Sequence, residues 1–153
     1  GALPAGWLWE RFKVVDVGNG EVAFWNQVSK AFIRSQASIV DKSALSPDAT
    51  LDSGWRWERY KITLATITLT PGSIITIYNP SWKNFVRMPT GKSFLDTSPF
   101  PSSSLENFRV VDAGNGQYAF WNPLNKCFIR MNPNQPQLDR SAPSQDGALP
   151  AGW

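Results

Sequence analysis

The residues of this chain that could engage a ligand come in a recurring pair. Trp25-Asn26, Tyr78-Asn79 and Trp121-Asn122 each set an aromatic ring beside a carboxamide at the end of an apolar run. Asp16 and Asn19 precede the first pair, Asp112 and Asn115 the third, while the middle copy lacks them and carries Trp82 instead. A flat ring next to amide and carboxylate groups suits a sugar, whose C–H face stacks while its hydroxyls take hydrogen bonds. Strand alternation adds a direction: with Val22 and Phe24 inward, Trp25 points outward, as do Tyr78 and Trp121 in their runs. The expected ligand-binding set is therefore Asp16, Asn19, Trp25, Asn26, Tyr78, Asn79, Trp82, Asp112, Asn115, Trp121 and Asn122. The middle site should differ from the others or be dead. The competing reading is that these rings cover the wall of the fold or pack against a neighbouring module.

Catalytic chemistry has little to work with. The chain contains no histidine and one cysteine, so Ser-His and Cys-His nucleophile systems, the usual zinc sites and internal disulfides are excluded. Cys127 occupies an alternating strand position that reads as a small buried thiol. Asp16, Asp112 and Glu21 are the carboxylate candidates, but acid-base work needs two carboxylates that converge, and the repeats put the two aspartates on different lobes. Gly18-Asn19-Gly20 and Gly114-Asn115-Gly116 join strands and open no helix, so they are turns rather than phosphate loops. The expectation is a non-enzymatic protein with no cofactor and no metal.

These residues are carried by a threefold repeat. Trp9-Glu10-Arg11-Phe12, Trp57-Glu58-Arg59-Tyr60 and Leu105-Glu106-Asn107-Phe108 place their glutamates 48 residues apart each time. Each opening leads through an apolar run to the aromatic-Asn pair, then to Lys30-Ala31-Phe32-Ile33-Arg34, Lys83-Asn84-Phe85-Val86-Arg87 or Lys126-Cys127-Phe128-Ile129-Arg130. A fixed period of this size means one supersecondary unit repeated, each unit unable to bury its apolar face alone.

Four strands are predicted in the first unit: Arg11 to Val17, Glu21 to Asn26, Ala31 to Ser35 and Ser38 to Lys42. The third unit repeats them as Arg109 to Ala113, Gln117 to Asn122, Cys127 to Met131 and Gln137 to Ser141. In the middle unit a threonine-rich hairpin from Lys61 to Ile77 turns at Pro71-Gly72. No stretch has sustained helical periodicity. The fold class is all-β, a β-trefoil of three four-stranded repeats in which three hairpins cap a six-strand barrel and closure removes the sheet edges. The repeats span about 7–54, 55–102 and 103–146 of a single domain, 1–153.

Phe12, Tyr60, Phe108, Phe32, Phe85 and Phe128 read as core aromatics. Glu10, Glu58 and Glu106 recur in step with Arg34, Arg87 and Arg130, which predicts three equivalent ion pairs between first and third strands. A ring of ligand-binding arginines is the alternative.

Composition bounds the rest. With 153 residues, 42% of them hydrophobic, eight tryptophans and nine phenylalanines, the chain can bury a core, and its apolar runs are too short to cross a bilayer. A net charge of +3 is spread over scattered lysines and arginines, so neither nucleic acid nor membrane insertion is expected. Gly1-Ala2-Leu3-Pro4-Ala5-Gly6-Trp7 returns letter for letter as Gly147-Ala148-Leu149-Pro150-Ala151-Gly152-Trp153. That identity predicts that 147–153 opens a following tandem module, with a stand-alone protein whose termini meet as the alternative.

The order Trp-Glu-Arg-Phe, Val-Ala-Phe-Trp-Asn, Phe-Ile-Arg, Ile-Val-Asp-Lys-Ser resembles the fascin-like branch of β-trefoils and is similar to amaranthin-type agglutinins. The resemblance covers Trp7 to about Ser141 and rests mostly on core positions. It implies a trefoil, and such folds serve as actin-bundling modules, sugar-binding lectins and protease inhibitors. The ricin-type Gln-x-Trp signature is missing. Three readings follow: a lectin-like module with two or three weak glycan sites, a fascin-like module that binds actin, and an assembly module that packs against another protein or neighbouring repeats.

Overall fold

In the computed structural model, which describes residues 6–62, 69–100 and 104–144, the first repeat contributes strands β1 (Phe12–Gly18), β2 (Glu21–Asn26), β3 (Ala31–Ser35) and β4 (Val40–Lys42). The second contributes β5 (Lys61–Ile62), β6 (Ile74–Ile75), β7 (Ile77–Asn79), β8 (Asn84–Arg87) and β9 (Asp96–Ser98). The third contributes β10 (Phe108–Gly114), β11 (Gln117–Asn122), β12 (Cys127–Arg130) and β13 (Asp139–Arg140), after a 3-10 turn at Ser104–Glu106. Predicted and observed strands agree to within a residue or two, the fourth strands being shorter than expected. Residues 63–68 of the predicted middle hairpin lie outside the described part.

The two Gly-Asn-Gly segments turn the first hairpins because all six residues adopt positive φ, from 53° to 84°. Glycine does so without strain, and asparagine is among the residues that tolerate it best. Asp16 Oδ1 accepts a hydrogen bond from Gly18 N at 2.9 Å, and Asp112 Oδ1 one from Gly114 N at 2.8 Å, fixing a bulge at the same place in each hairpin.

Backbone pairing closes a barrel. β1 pairs with β2 and β11, β10 with β11 and β6, and β5 with β7. The remaining seam is sealed where Val22 and Tyr60 exchange N–H···O bonds of 2.8 Å. Hairpins β3/β4, β8/β9 and β12/β13 form the cap. They knit together through Leu138 N to Val40 O at 2.9 Å and Leu95 N to Leu138 O at 3.0 Å, which brings the buried Val40, Leu95 and Leu138 to one place. The molecule is a β-trefoil.

The interior is one apolar cluster with Phe12, Tyr60 and Phe108 at equivalent positions, Phe24 and Phe120 between them, and Cys127 among them as a buried thiol. Phe24 meets Phe120 edge-on at 5.1 Å, a favoured geometry for aromatic quadrupoles. Tyr60 replaces a phenylalanine at the cost of a buried hydroxyl, which Ser35 Oγ satisfies at 2.8 Å. Phe32 and Phe128 belong instead to two outer clusters, and Phe85 is only half-buried.

The expected Glu–Arg ion pairs are corrected. Each arginine forks onto the aspartate of its own cap hairpin: Arg34–Asp41 at 2.8 Å, Arg87–Asp96 at 2.7 Å and Arg130–Asp139 at 2.7 Å. The two residues face each other across the third and fourth strands in register, which a motif search anchored on the glutamates overlooks. The glutamate near each arginine comes from the following repeat: Arg34 feels Glu58, Arg87 feels Glu106, and Arg130 feels Glu10. The guanidinium of Arg34 lies 6.0 Å from the Trp57 ring and that of Arg130 5.4 Å from Trp9. These contacts join the repeats cyclically, the third back onto the first.

Candidate functional site

The aromatic-Asn pairs are where the structure departs most from the sequence expectation. Alternation along β2 holds, since Val22 and Phe24 enter the barrel core while Ala23 and Trp25 face the other way. The outer face is covered, however. Trp25 is 8% exposed and Trp121 2%. Their indole N–H groups donate to Ser46 O at 2.8 Å and Ser144 O at 3.0 Å. Trp25 packs with Phe32 and Ala49, against which Leu51 and Trp55 also lie. Trp121 packs with Val111, Phe128 and Trp7, and Arg109 sits 4.8 Å from its ring. The chain between repeats folds back over these rings, and no sugar face remains open there.

Asn26, Asn79 and Asn122 are wholly buried. Asn26 Nδ2 donates to the carbonyls of Leu8 at 3.1 Å and Arg11 at 3.0 Å, while its Oδ1 accepts from Val28 N and Ser29 N. Asn122 repeats this towards Ser104 and Asn107, with Asn125 N on its Oδ1. Asn79 donates to Trp57 O and accepts from Trp82 N. Each carboxamide ties a repeat's opening to the loop after its second strand, so both ends of the amide are occupied by backbone. Lys30, Lys83 and Lys126 close those loops at positive φ, 50° to 58°.

The expected site residues are thus scattered. Asp16 and Asp112 are exposed turn formers, Asn115 is an exposed turn residue, and Tyr78 is half-buried against Phe85 at 4.9 Å. Of these residues, Asn19 lies on an open concave surface, and Trp82 follows Ser81, which lines the same surface. Asn19, Glu21, Ser53, Arg56, Arg59, Pro80 and Ser81 line a cleft of about 590 Å³ between the first and second repeats. Arg59 braces it, donating to Val17 O at 3.0 Å and Trp55 O at 3.0 Å. Arg56 and Ser81 are each followed in the chain by a tryptophan, and those two, Trp57 and Trp82, meet at a tilt of 53° with centroids 5.3 Å apart and 39% and 36% of their surfaces exposed.

The junction between the third and first repeats holds the pseudo-equivalent cleft, about 290 Å³, lined by Leu8, Arg11, Gln27, Val28, Lys30 and Gln117. Arg11 takes the bracing role of Arg59, donating to Ala113 O. Leu8 stands where the larger cleft has Arg56, and Gln27-Val28 where it has Pro80-Ser81. Of these two junctions, the polar, wider cleft belongs to the one between the first and second repeats. Sequence reasoning missed Ser53, Arg56, Arg59 and Trp57; the signal available was the departure of the middle unit from its sisters around Pro80-Ser81-Trp82.

No family model matches the chain, and no curated protein matches it in sequence. Solved structures do match in fold. A designed 3-fold symmetric protein, ThreeFoil, superposes with a TM-score of 0.59 at 11% identity over 89% of this chain and 91% of that one. The cytolethal distending toxin of Haemophilus ducreyi gives 0.54 at 12% identity over 98% and 81%. The GlcNAcα1-4Gal releasing endo-β-galactosidase of Clostridium perfringens gives 0.55 at 10% identity over 94% of this chain and 30% of that one. At such identities the likeness is one of fold.

Proposed function

We propose that this chain is a non-enzymatic carbohydrate-binding module whose principal site is the cleft between the first and second repeats. The observation that carries the reading is the conjunction of a polar, roomy cleft with an exposed tryptophan pair whose members directly follow the cleft residues Arg56 and Ser81 in the chain. Glu21, Asn19, Ser53 and Ser81 offer acceptors and donors for hydroxyls, Arg56 a planar fork of donors, and Trp82 a ring for an apolar sugar face. Among the described residues this cleft is favoured over its sister at the third/first junction, which swaps Arg56 for Leu8 and is half the size. One fold neighbour is itself an enzyme acting on a saccharide, a likeness that lends support without identifying the sugar.

The test is a glycan array probed with the native chain, Trp82→Ala, Arg56→Ala and, as a control in the smaller cleft, Gln117→Ala. Retention of a glycan that both cleft variants lose and the control keeps is the expected result. Binding indifferent to Trp82 and Arg56, or no glycan retained at all, would remove the proposal.

A further inference from the structure

The linker after the first repeat and the tail after the third share one design. Ser43 to Trp55, SALSPDATLDSGW, aligns without a gap on Ser141 to Trp153, SAPSQDGALPAGW, matching both serines, the first alanine, Asp, Leu, Gly and Trp. Where both are described they take the same path. Phe32 N donates to Ser43 Oγ at 3.0 Å and Phe128 N to Ser141 Oγ at 2.9 Å. Trp25 donates to Ser46 O and Trp121 to Ser144 O. Ser46 N reaches Lys30 O, and Ser144 N reaches Lys126 O, both at 2.7 Å. From Ser46 the first linker runs on to lay Ala49, Leu51 and Trp55 against Trp25 and Phe32.

On the third repeat the corresponding seat, beside Trp121 and Phe128, is taken by Trp7, edge-on to Phe128 with centroids 6.0 Å apart. Trp7 ends the heptapeptide whose second copy ends in Trp153. Trp153 follows Ser144 at the same spacing as Trp55 follows Ser46, so the reach required is one that the first linker already spans.

We propose that the seat over Trp121 and Phe128 is a socket with two claimants in this chain, and that Trp153, closing the segment Gly147–Trp153, docks there in place of Trp7. The two claimants end identical heptapeptides, so they differ in the connecting chain rather than in the chemistry of the indole, and the seat is an element with two states whose populations can shift. When Trp153 is seated, Trp7 is released from the third repeat. The inference is independent of the saccharide cleft, which lies at another junction.

A double-mutant cycle on the full chain tests it, read as the urea midpoint. Trp7→Ala and Trp153→Ala should each shift the midpoint slightly, and the double variant should lower it by about twice their sum or more, the non-additivity of two groups sharing one place. Ending the chain at Asp146 should make Trp7→Ala as costly as the double variant. If Trp7→Ala alone already matches the double variant and Trp153→Ala is silent, the proposal falls. Trp7→Phe, a smaller ring and so a weaker claimant, allows a second reading: the indole N–H resonance of Trp153 should shift as Trp153 gains the seat, and its failure to move overturns the idea. A rescue of Trp7→Ala that grows with protein concentration, accompanied by dimers in light scattering, would mean that a second copy supplies the heptapeptide and would overturn docking within one chain.

Discussion

Arg34 and Asp41 meet through two parallel hydrogen bonds, Nε to Oδ1 at 2.9 Å and the terminal nitrogen to Oδ2 at 2.8 Å. The same fork recurs at Arg87–Asp96 and Arg130–Asp139. Planar bidentate geometry of this kind is what guanidinium offers and ammonium does not. The aspartates of the first and third repeats are almost fully buried and their arginines only partly so. Removing the carboxylate, as in Asp139→Ala, should cost about 2–3 kcal/mol because the arginine keeps its charge without its partner. Chemical denaturation of the variant against the native chain measures it.

Glu58 stands beside that fork without joining it. Burial pushes its carboxyl above the usual carboxylate range, and the Arg34 guanidinium offsets this only in part. An amide of the same shape carries no charge to desolvate. Glu58→Gln should therefore leave the urea midpoint at pH 8 unchanged or raised, within about 1 kcal/mol, whereas a true ion-pair partner would lose several times more.

Glu10 gives the chain a pH dependence. Burial, together with the neighbouring Asp139 carboxylate and against the pull of Arg130, holds its carboxyl at about 7, up from 4.5. Its Oε2 finds no hydrogen-bond partner among the described residues. Between those two values the folded chain binds more proton than the unfolded one, so stability falls as the pH rises from about 4.5 to 7 and levels off above. The loss is on the order of 3 kcal/mol at most, and Glu58 adds to it in the same direction. Denaturation midpoints at pH 5 and pH 8 should differ in the native chain and differ less in Glu10→Gln, the remainder coming from Glu58.

Trp25 and Trp121 are predicted to act on stability. Each is buried on the outer wall and donates its indole N–H to a carbonyl. Trp121→Ala should cost about 3–5 kcal/mol through lost burial and the cavity left behind. Trp121→Phe should recover much of that, short of about 1 kcal/mol for the missing hydrogen bond. Thermal melts of the two variants give the ordering.

Asn26 is the test of the loop anchor. Asn26→Leu leaves the Leu8 and Arg11 carbonyls and the Val28 and Ser29 amides without their partner, each worth about 1–3 kcal/mol when buried and unpaired. The expected outcome is a chain that is largely unfolded at 37 °C by circular dichroism. By contrast Arg56→Ala, on an exposed residue of the cleft, should stay within about 0.5 kcal/mol of the native stability.

Much of the architecture was legible in the sequence because it rests on local rules repeated three times. The Gly-Asn-Gly turns, the period-2 runs and the evenly spaced openings each specify a conformation within a few residues, and β2, β3 and β11 fall where those rules put them. Even the alternation around Trp25 was right: the ring does leave the barrel core. Whether an outward ring meets solvent is another matter, since it depends on chain that is distant in sequence and carries no periodic signal. Trp55 lies 30 residues beyond Trp25, and Trp7 lies at the opposite end of the chain from Trp121.

The amino-acid order by itself thus determined the threefold trefoil, the strand faces and the absence of histidine chemistry, because backbone geometry and composition are local properties. Only the tertiary structure decided that the aspartates hold the arginines, that the asparagines serve the backbone, and that a polar cleft opens between the first and second repeats. Those outcomes depend on which repeat closes against which and on the segments folded over their walls, and burial is settled by such long-range packing.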